Sequence, residues 1–286
     1  GGNVTFISGA PALDASVSIA EANRDGRFVF LGTGKLGLSD LNFLKTEPSR
    51  IYGSRLESTA GGSGLIVEPT GTFSGTDARN FRAENMTFIA DNTGYIITSE
   101  SCPGMSFSNC SFKQFNTGGS GLKIRNSWFF TMDQCFVYGP SNTEGAANDP
   151  LNNTGDGITG ASGRFAGEWN ITDSLIDSFS NGVRWTGGTF VNVSVRNTAI
   201  QNCNNYGFYA EGGILQQVLF DNVYQENIGV RGRSFIKGTG TSTAGDEKSR
   251  IRNLRITSSF MYGPLMTGPL VDLDNVDSIN CEHLYV

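Results

Sequence analysis

One short phrase recurs eight times along this chain, and a fixed repeat of this kind leaves few folds open. The phrase is apolar, any, apolar, any, a short polar residue, then an apolar residue three places on. It reads Phe81, Ala83, Asn85, Phe88, then Met105, Phe107, Asn109, Phe112, then Phe130, Met132, Gln134, Val137. It continues as Trp169, Ile171, Asp173, Ile176 and Val193, Val195, Asn197, Ile200, with weaker copies centred on Asn222, Ser258 and His283. The intervals between polar residues are 24, 25, 39, 24, 25, 36 and 25, the two long ones being a normal interval plus an inserted loop. A period in the twenties signals a solenoid in which each repeat is one rung.

Within the phrase the apolar residues alternate, which is the period of a strand. An Asn at the bend fits, because Asn tolerates the left-handed backbone region and its amide can bond the same residue one rung away. Its parity places it inward, so Asn85, Asn109, Asn197 and Asn222 are expected to form an internal ladder. A further strand follows a glycine: Gly94-Tyr95-Ile96-Ile97, Gly121-Leu122-Lys123-Ile124, Gly182-Val183-Arg184-Trp185 and Gly207-Phe208-Tyr209-Ala210. Three short strands per rung describe an all-β fold, a single right-handed parallel β-helix. A leucine-rich repeat would need a Leu-dense pattern, and a sandwich would show hairpin turns without a long period. Residues 14–25 read as a short N-terminal capping helix, with Ser18 and Glu21 as a capping box. The expected division is 1–26 for that segment and 27–286 for the β-helix. The chain stops at Tyr285-Val286 in mid-rung, so it is expected to be part of something longer.

Composition narrows the function. With 21 basic and 27 acidic residues the net charge is −6, which argues against nucleic acid as partner. No apolar run approaches the length of a membrane span, and no charged region followed by an apolar core marks a signal peptide. Five cysteines without paired spacing imply no disulfide framework and fit folding in a reducing cytosol. Cys110 and Cys135 occupy one interior column with Met86, Ser174, Thr198, Val223, Ser259 and Leu284, and are read as buried reduced thiols. No cofactor or metal site is expected.

The segment Ser16 to Asn23, followed by Asp25-Gly26-Arg27-Phe28-Val29-Phe30-Leu31-Gly32-Thr33-Gly34-Lys35-Leu36, resembles the opening of the pectate-lyase-like right-handed β-helices, and especially of phage tailspike proteins. Ile51-Tyr52-Gly53-Ser54 with Ser58-Thr59 resembles the next element of that family, and the Asn ladder extends the likeness over residues 14–286. The family's Pro-x-Gly-x-Tyr is replaced here by Gly32-Thr33-Gly34-Lys35-Leu36. The Gly-His-Gly and Asp-Asp motifs of polygalacturonases are absent, the only histidine is His283, and there is neither Arg-x-Pro-x-x-Arg nor a tight Asp cluster for calcium. The resemblance therefore points to the tailspike branch. It implies a homotrimer that binds and often cleaves a bacterial surface polysaccharide. It also implies residence in the virion beside other tail components after assembly in the host cytoplasm, or otherwise an extracellular location.

Counting from the glycine, the outward column of the third strand runs Ile96, Lys123, Thr159, Arg184, Tyr209, Ile236, Asp272. Lys123, Arg184 and Tyr209 combine cations with an aromatic platform that suits an acidic sugar chain. Glycoside hydrolysis uses two carboxylates flanking the bond, about 5 Å apart for retention and about 6.5–9.5 Å for inversion. Rungs spaced by ~4.8 Å allow either. Asp156 closes the longest insertion, 139–156, and Asp177 is read as its neighbour one rung up. These two are the expected catalytic pair, with Glu211 in reserve. A lyase would use Tyr209 with Arg184 instead. The outward column after the bend (Thr87, Ser111, Phe136, Leu175, Ala199, Tyr224, Phe260, Tyr285) is rich in apolar residues and reads as a trimer interface. A virion depolymerase, a non-catalytic fibre or adhesin, and a secreted lyase stay open.

Overall fold

The computed structural model describes residues 81–91, 93–100, 104–140, 153–161, 165–228, 234–239, 250–262, 268–274 and 276–286. It also describes the backbone of five earlier strands, Val4–Ile7, Arg27–Leu31, Leu41–Lys45, Ser49–Ser58 and Leu65–Pro69. The chain is a right-handed parallel β-solenoid of about 6 turns. The capping helix expected over 14–25 lies outside the described residues, as does the body of the 139–156 loop. Among the described residues no helix is long and apolar enough to cross a membrane.

Each rung contributes strands to two parallel sheets, one of 17 strands and one of nine. One rung illustrates the plan. Thr189–Arg196 runs along the large sheet, the chain bends at Asn197, Ala199–Gln201 continues that sheet, and Tyr206–Glu211 crosses to the nine-stranded sheet. The next rung repeats this with Ile214–Asp221 and Tyr224–Glu226.

All eight phrase residues sit in the left-handed region: φ is 54° at Asn85, 51° at Asn109, 52° at Gln134, 48° at Asp173, 47° at Asn197, 51° at Asn222, 48° at Ser258 and 54° at His283. The bend N–H donates across the gap to the residue before the next bend, as from Asn109 to the Asp133 carbonyl (2.9 Å) and from Asn197 to that of Asp221 (3.0 Å). The bend side chains, however, point into solvent. Asn85, Asn109, Asn197 and Asn222 are exposed, so the internal ladder is corrected to an external one. A left-handed residue breaks the strand's alternation, turning its own side chain out and the next one in. The amides still stack in pairs, Asn109 Nδ2 to Asn85 Oδ1 at 2.5 Å and Asn222 Nδ2 to Asn197 Oδ1 at 2.9 Å.

Two further left-handed columns run parallel to the first: Glu168, Asn192, Gln217 and Asn253, and Ser178, Asn202 and Asn227. The last continues the amide stacking, with Asn227 Nδ2 donating to Asn202 Oδ1 (3.1 Å).

The interior is a continuous apolar stack. Trp169, Trp185, Phe88, Phe107, Phe112, Phe130, Phe179, Phe190, Phe208 and Phe235 are fully buried. Phe88 stacks on Phe112 at 5.1 Å, and Trp169 packs between Phe130 (4.7 Å) and Phe190 (5.5 Å). Each such ring contributes on the order of 1.5–3 kcal/mol by leaving water. The column after the bend is interior as expected. Cys110 and Cys135 lie there as buried free thiols, the Cys110 N–H reaching the Cys135 Sγ at 3.4 Å. The hydrogen bond between the two thiols lowers the Cys110 pKa and, with burial, raises that of Cys135.

Candidate functional site

The outward face of the nine-stranded sheet gathers most of the expected site residues. Register places Lys123 beside Thr98 and Thr159, Arg184 beside Thr159 and Tyr209, and Lys237 between Tyr209 and Asp272. Lys123, Arg184 and Tyr209 thus share one wall. Ile96 and Ile236 do not belong to it. They are buried, and Thr98 and Lys237 hold the outward positions. Counting from Gly94 misaligned that strand, because Ile96, not Gly94, occupies the position equivalent to Gly121.

A break in the ladder at a column of glycines brings Asp156 onto this wall. The ladder pairs Asp156 with Asn181 and Ile158 with Val183, leaving Gly157 and Gly182 between them unpaired. Alternation is lost there, and Asp156 and Thr159, three apart, face the same side. The break requires glycine: a Cβ on Gly157 would lie 2.5 Å from both the Gly182 carbonyl oxygen and Ile176 Cγ2.

Arg184 is the centre of the site. Its Nε donates to Glu211 Oε2 at 2.9 Å, its Nη2 donates to the same oxygen, and its Nη1 donates to Asp156 Oδ2 at 3.2 Å. Asp156 also accepts from Asn181 Nδ2 (2.6 Å) and Thr159 Oγ1 (3.2 Å). Burial works against the guanidinium charge, but Glu211 and Asp156 outweigh it and hold its pKa above the ordinary value. The two carboxylates differ in access, since the Asp156 side chain is 6% exposed and that of Glu211 is 40% exposed.

Aromatic rings flank this ionic centre. Tyr209 lies under the Arg184 guanidinium at 5.7 Å and against Tyr206 at 4.8 Å. On the other side Lys123 Nζ stands 5.4 Å from the Tyr95 ring centroid, and the Tyr95 hydroxyl reaches Thr159 Oγ1 at 3.5 Å. Four rung steps separate the Tyr95 strand from the Tyr206 strand, about 19 Å. Beyond them, Lys237 pairs with Asp272 at 2.7 Å.

Asp177 is elsewhere. It ends Leu175–Asp177 in the large sheet, opposite Tyr138 and Gln201, and Asn181 rather than Asp177 stands beside Asp156. It is buried and accepts from Ser178 Oγ (2.7 Å) and Asn202 Nδ2 (2.9 Å). Sequence reading missed Asn181, Tyr206, Tyr95 and Lys237. Repeat arithmetic held the signal for two of them, since Asp156, Asn181 and Tyr206 follow one another at 25-residue steps.

The outward column after the bend is in register throughout, from Thr87 through Ser111, Phe136, Leu175, Ala199, Tyr224 and Phe260 to Tyr285. Phe136, Tyr224, Phe260 and Tyr285 are exposed, and Tyr224 stacks on Phe260 at 5.4 Å. Among the described residues no three His, Cys, Asp or Glu converge as a metal site. Compared with known protein families, with curated proteins and with solved structures, the chain matches none.

Proposed function

We propose that the chain binds a bacterial surface polysaccharide, capsule or O-antigen, along the wall of the nine-stranded sheet and hydrolyses it there. It does so as a tailspike-type protein of a phage virion, a homotrimer among other tail components. The observation that carries this reading is the layout of the wall: tyrosines at both ends of a five-strand face, with Asp156 at its centre and Glu211 on the Tyr209 strand joined through Arg184. Tyrosine rings stack on the apolar faces of sugars, while the Thr, Asn and carboxylate groups between them match hydroxyls.

In this account Glu211 is the catalytic carboxylate that meets the sugar, being the exposed one. Asp156 is the second, and through Arg184 it fixes where Glu211 stands. Their strands are two rungs apart, and both side chains reach the same guanidinium, which holds the two carboxylates near each other. Asp177, buried in the large sheet, has no part in the reaction as proposed.

The pairing of Arg184 with both carboxylates favours a second reading, in which the wall binds the polymer without cutting it. Incubation with capsular and O-antigen polysaccharides, followed by sizing of the products, separates the two. New reducing ends that fall about 10²-fold or more in rate in Glu211→Gln, with binding retained, support hydrolysis. Binding without any shortening supports the second reading. Unsaturated uronate products identify a lyase, and absence of binding to every polymer overturns the proposal.

A further inference from the structure

The cations of the wall are not equivalent. Arg184 is held by Glu211 and Asp156, and Lys237 by Asp272, with Asp274 also near enough to raise the Lys237 pKa. Lys123 has no carboxylate within ion-pair distance among the described residues. Its register neighbours are Thr98 and Thr159, both neutral, and its ammonium stands over the Tyr95 ring. The wall is therefore polarised along the solenoid axis. Among the described residues its end toward Tyr95 carries a positive charge with no paired carboxylate on an aromatic floor, and its end toward Glu211, Asp272 and Asp274 is acidic.

An ammonium poised over a ring, with no counter-ion among the described residues, is a partial site for an anion. The ring supports the cation from one side, and the remaining N–H donors face outward. We propose that Lys123 over Tyr95 is the subsite for an anionic substituent, carboxylate or phosphate, on the polysaccharide. The acidic far end of the wall disfavours a second such group beside Glu211. The polymer accordingly lies in one direction, its charged sugar at Lys123 and its neutral sugar two to three rungs away, about 10–14 Å, at Arg184 and Glu211. A polymer with a charge on every sugar would meet like charge at that far end, so the subsite selects a sparsely charged repeat. This inference rests on the polysaccharide reading of the wall.

The test uses the whole protein and matched pairs of polymers. One set holds uronate-bearing capsular polysaccharides and their carboxyl-reduced forms; the other holds phosphate-substituted polymers before and after dephosphorylation. The expected result is binding about tenfold tighter to the charged member of a pair, the gain of one charge-assisted contact. Lys123→Gln removes that preference, Lys123→Arg keeps most of it, and added salt erodes it in the wild type. Which set shows the preference tells carboxylate from phosphate. Equal binding of charged and neutral members, or a preference that survives in Lys123→Gln, overturns the subsite and leaves the polysaccharide reading standing. Binding to no member of either set overturns both.

Discussion

Gln225 stands in the interior column between Ile200 and Met261, almost fully buried, and neither its amide nitrogen nor its amide oxygen has a partner. Gln114 shows what a satisfied glutamine looks like in this fold. Its Nε2 donates to the Ser120 carbonyl at 3.2 Å, and its Oε1 accepts the Asn116 N–H at 3.2 Å. Burying an unpaired amide costs roughly 1–3 kcal/mol, and Met matches Gln in shape. Gln225→Met is expected to raise stability by about that amount in urea unfolding at unchanged m-value. A loss of stability would show that the amide is paired through bound water. Cys203 makes a second prediction at this scale. Burial pushes its thiol pKa up from 9.0, and the carboxylates of Asp177 and Asp156 add to the shift. A pKa raised by folding contributes stability that is fully present below the unfolded value and is lost as pH rises toward the folded one. Between pH 9 and 10 the wild type is therefore expected to lose about 1 kcal/mol through this thiol. Cys203→Ala is expected to lower that slope, whatever it does to absolute stability. An identical slope in the variant would show that other groups carry the alkaline loss.

The left-handed bend is the element that sets the shape of each rung. Asn222 holds φ at 51° with an exposed side chain bonded to Asn197, so its contribution is conformational more than packing. Asn222→Val is expected to destabilise by about 1–3 kcal/mol, because a β-branched residue is strained there, while Asn222→Gly costs less than half as much. Equal effects of the two in denaturant melts would mean that the amide stack, and not φ, matters at this corner. The rungs, the bends and the exposed column from Phe136 to Tyr285 were legible in sequence, because each follows from alternation and a fixed period. The side that the bend asparagines face was not, since a left-handed residue reverses the parity on which that reading relied. The neighbour of Asp156 was misread for a related reason. At Gly157 and Gly182 the ladder skips a pair, which no alternation rule includes, and this turns Asp156 toward Arg184, with Asn181 and not Asp177 beside it. Lys123, Arg184 and Tyr209 share one wall as read because the three lie on the same side of that break. The pairing of Asp156 with Glu211 depends on side-chain reach across two rungs, which spacing does not encode.

At the scale of the whole molecule, two faces of the solenoid carry the functional account. The exposed column of Phe136, Tyr224, Phe260 and Tyr285 is proposed as the contact between copies, with light scattering expected to give a trimer at micromolar concentration. A monomer there would remove that assignment and leave the column needing another cover. The wall of the nine-stranded sheet is proposed to hold the polysaccharide, with Tyr209 as platform, Glu211 as the carboxylate that meets the sugar, Asp156 behind Arg184, and Lys123 as the anion subsite. The most direct measurement is a crystal structure of Glu211→Gln with an oligosaccharide of the polymer that the protein binds. The account predicts sugar rings lying along the solenoid axis between Tyr95 and Tyr206, one of them stacked on Tyr209 with its glycosidic oxygen within hydrogen-bond reach of residue 211. An oligosaccharide seated on the large sheet or the aromatic column, with the Tyr95-to-Tyr206 wall empty, would contradict it.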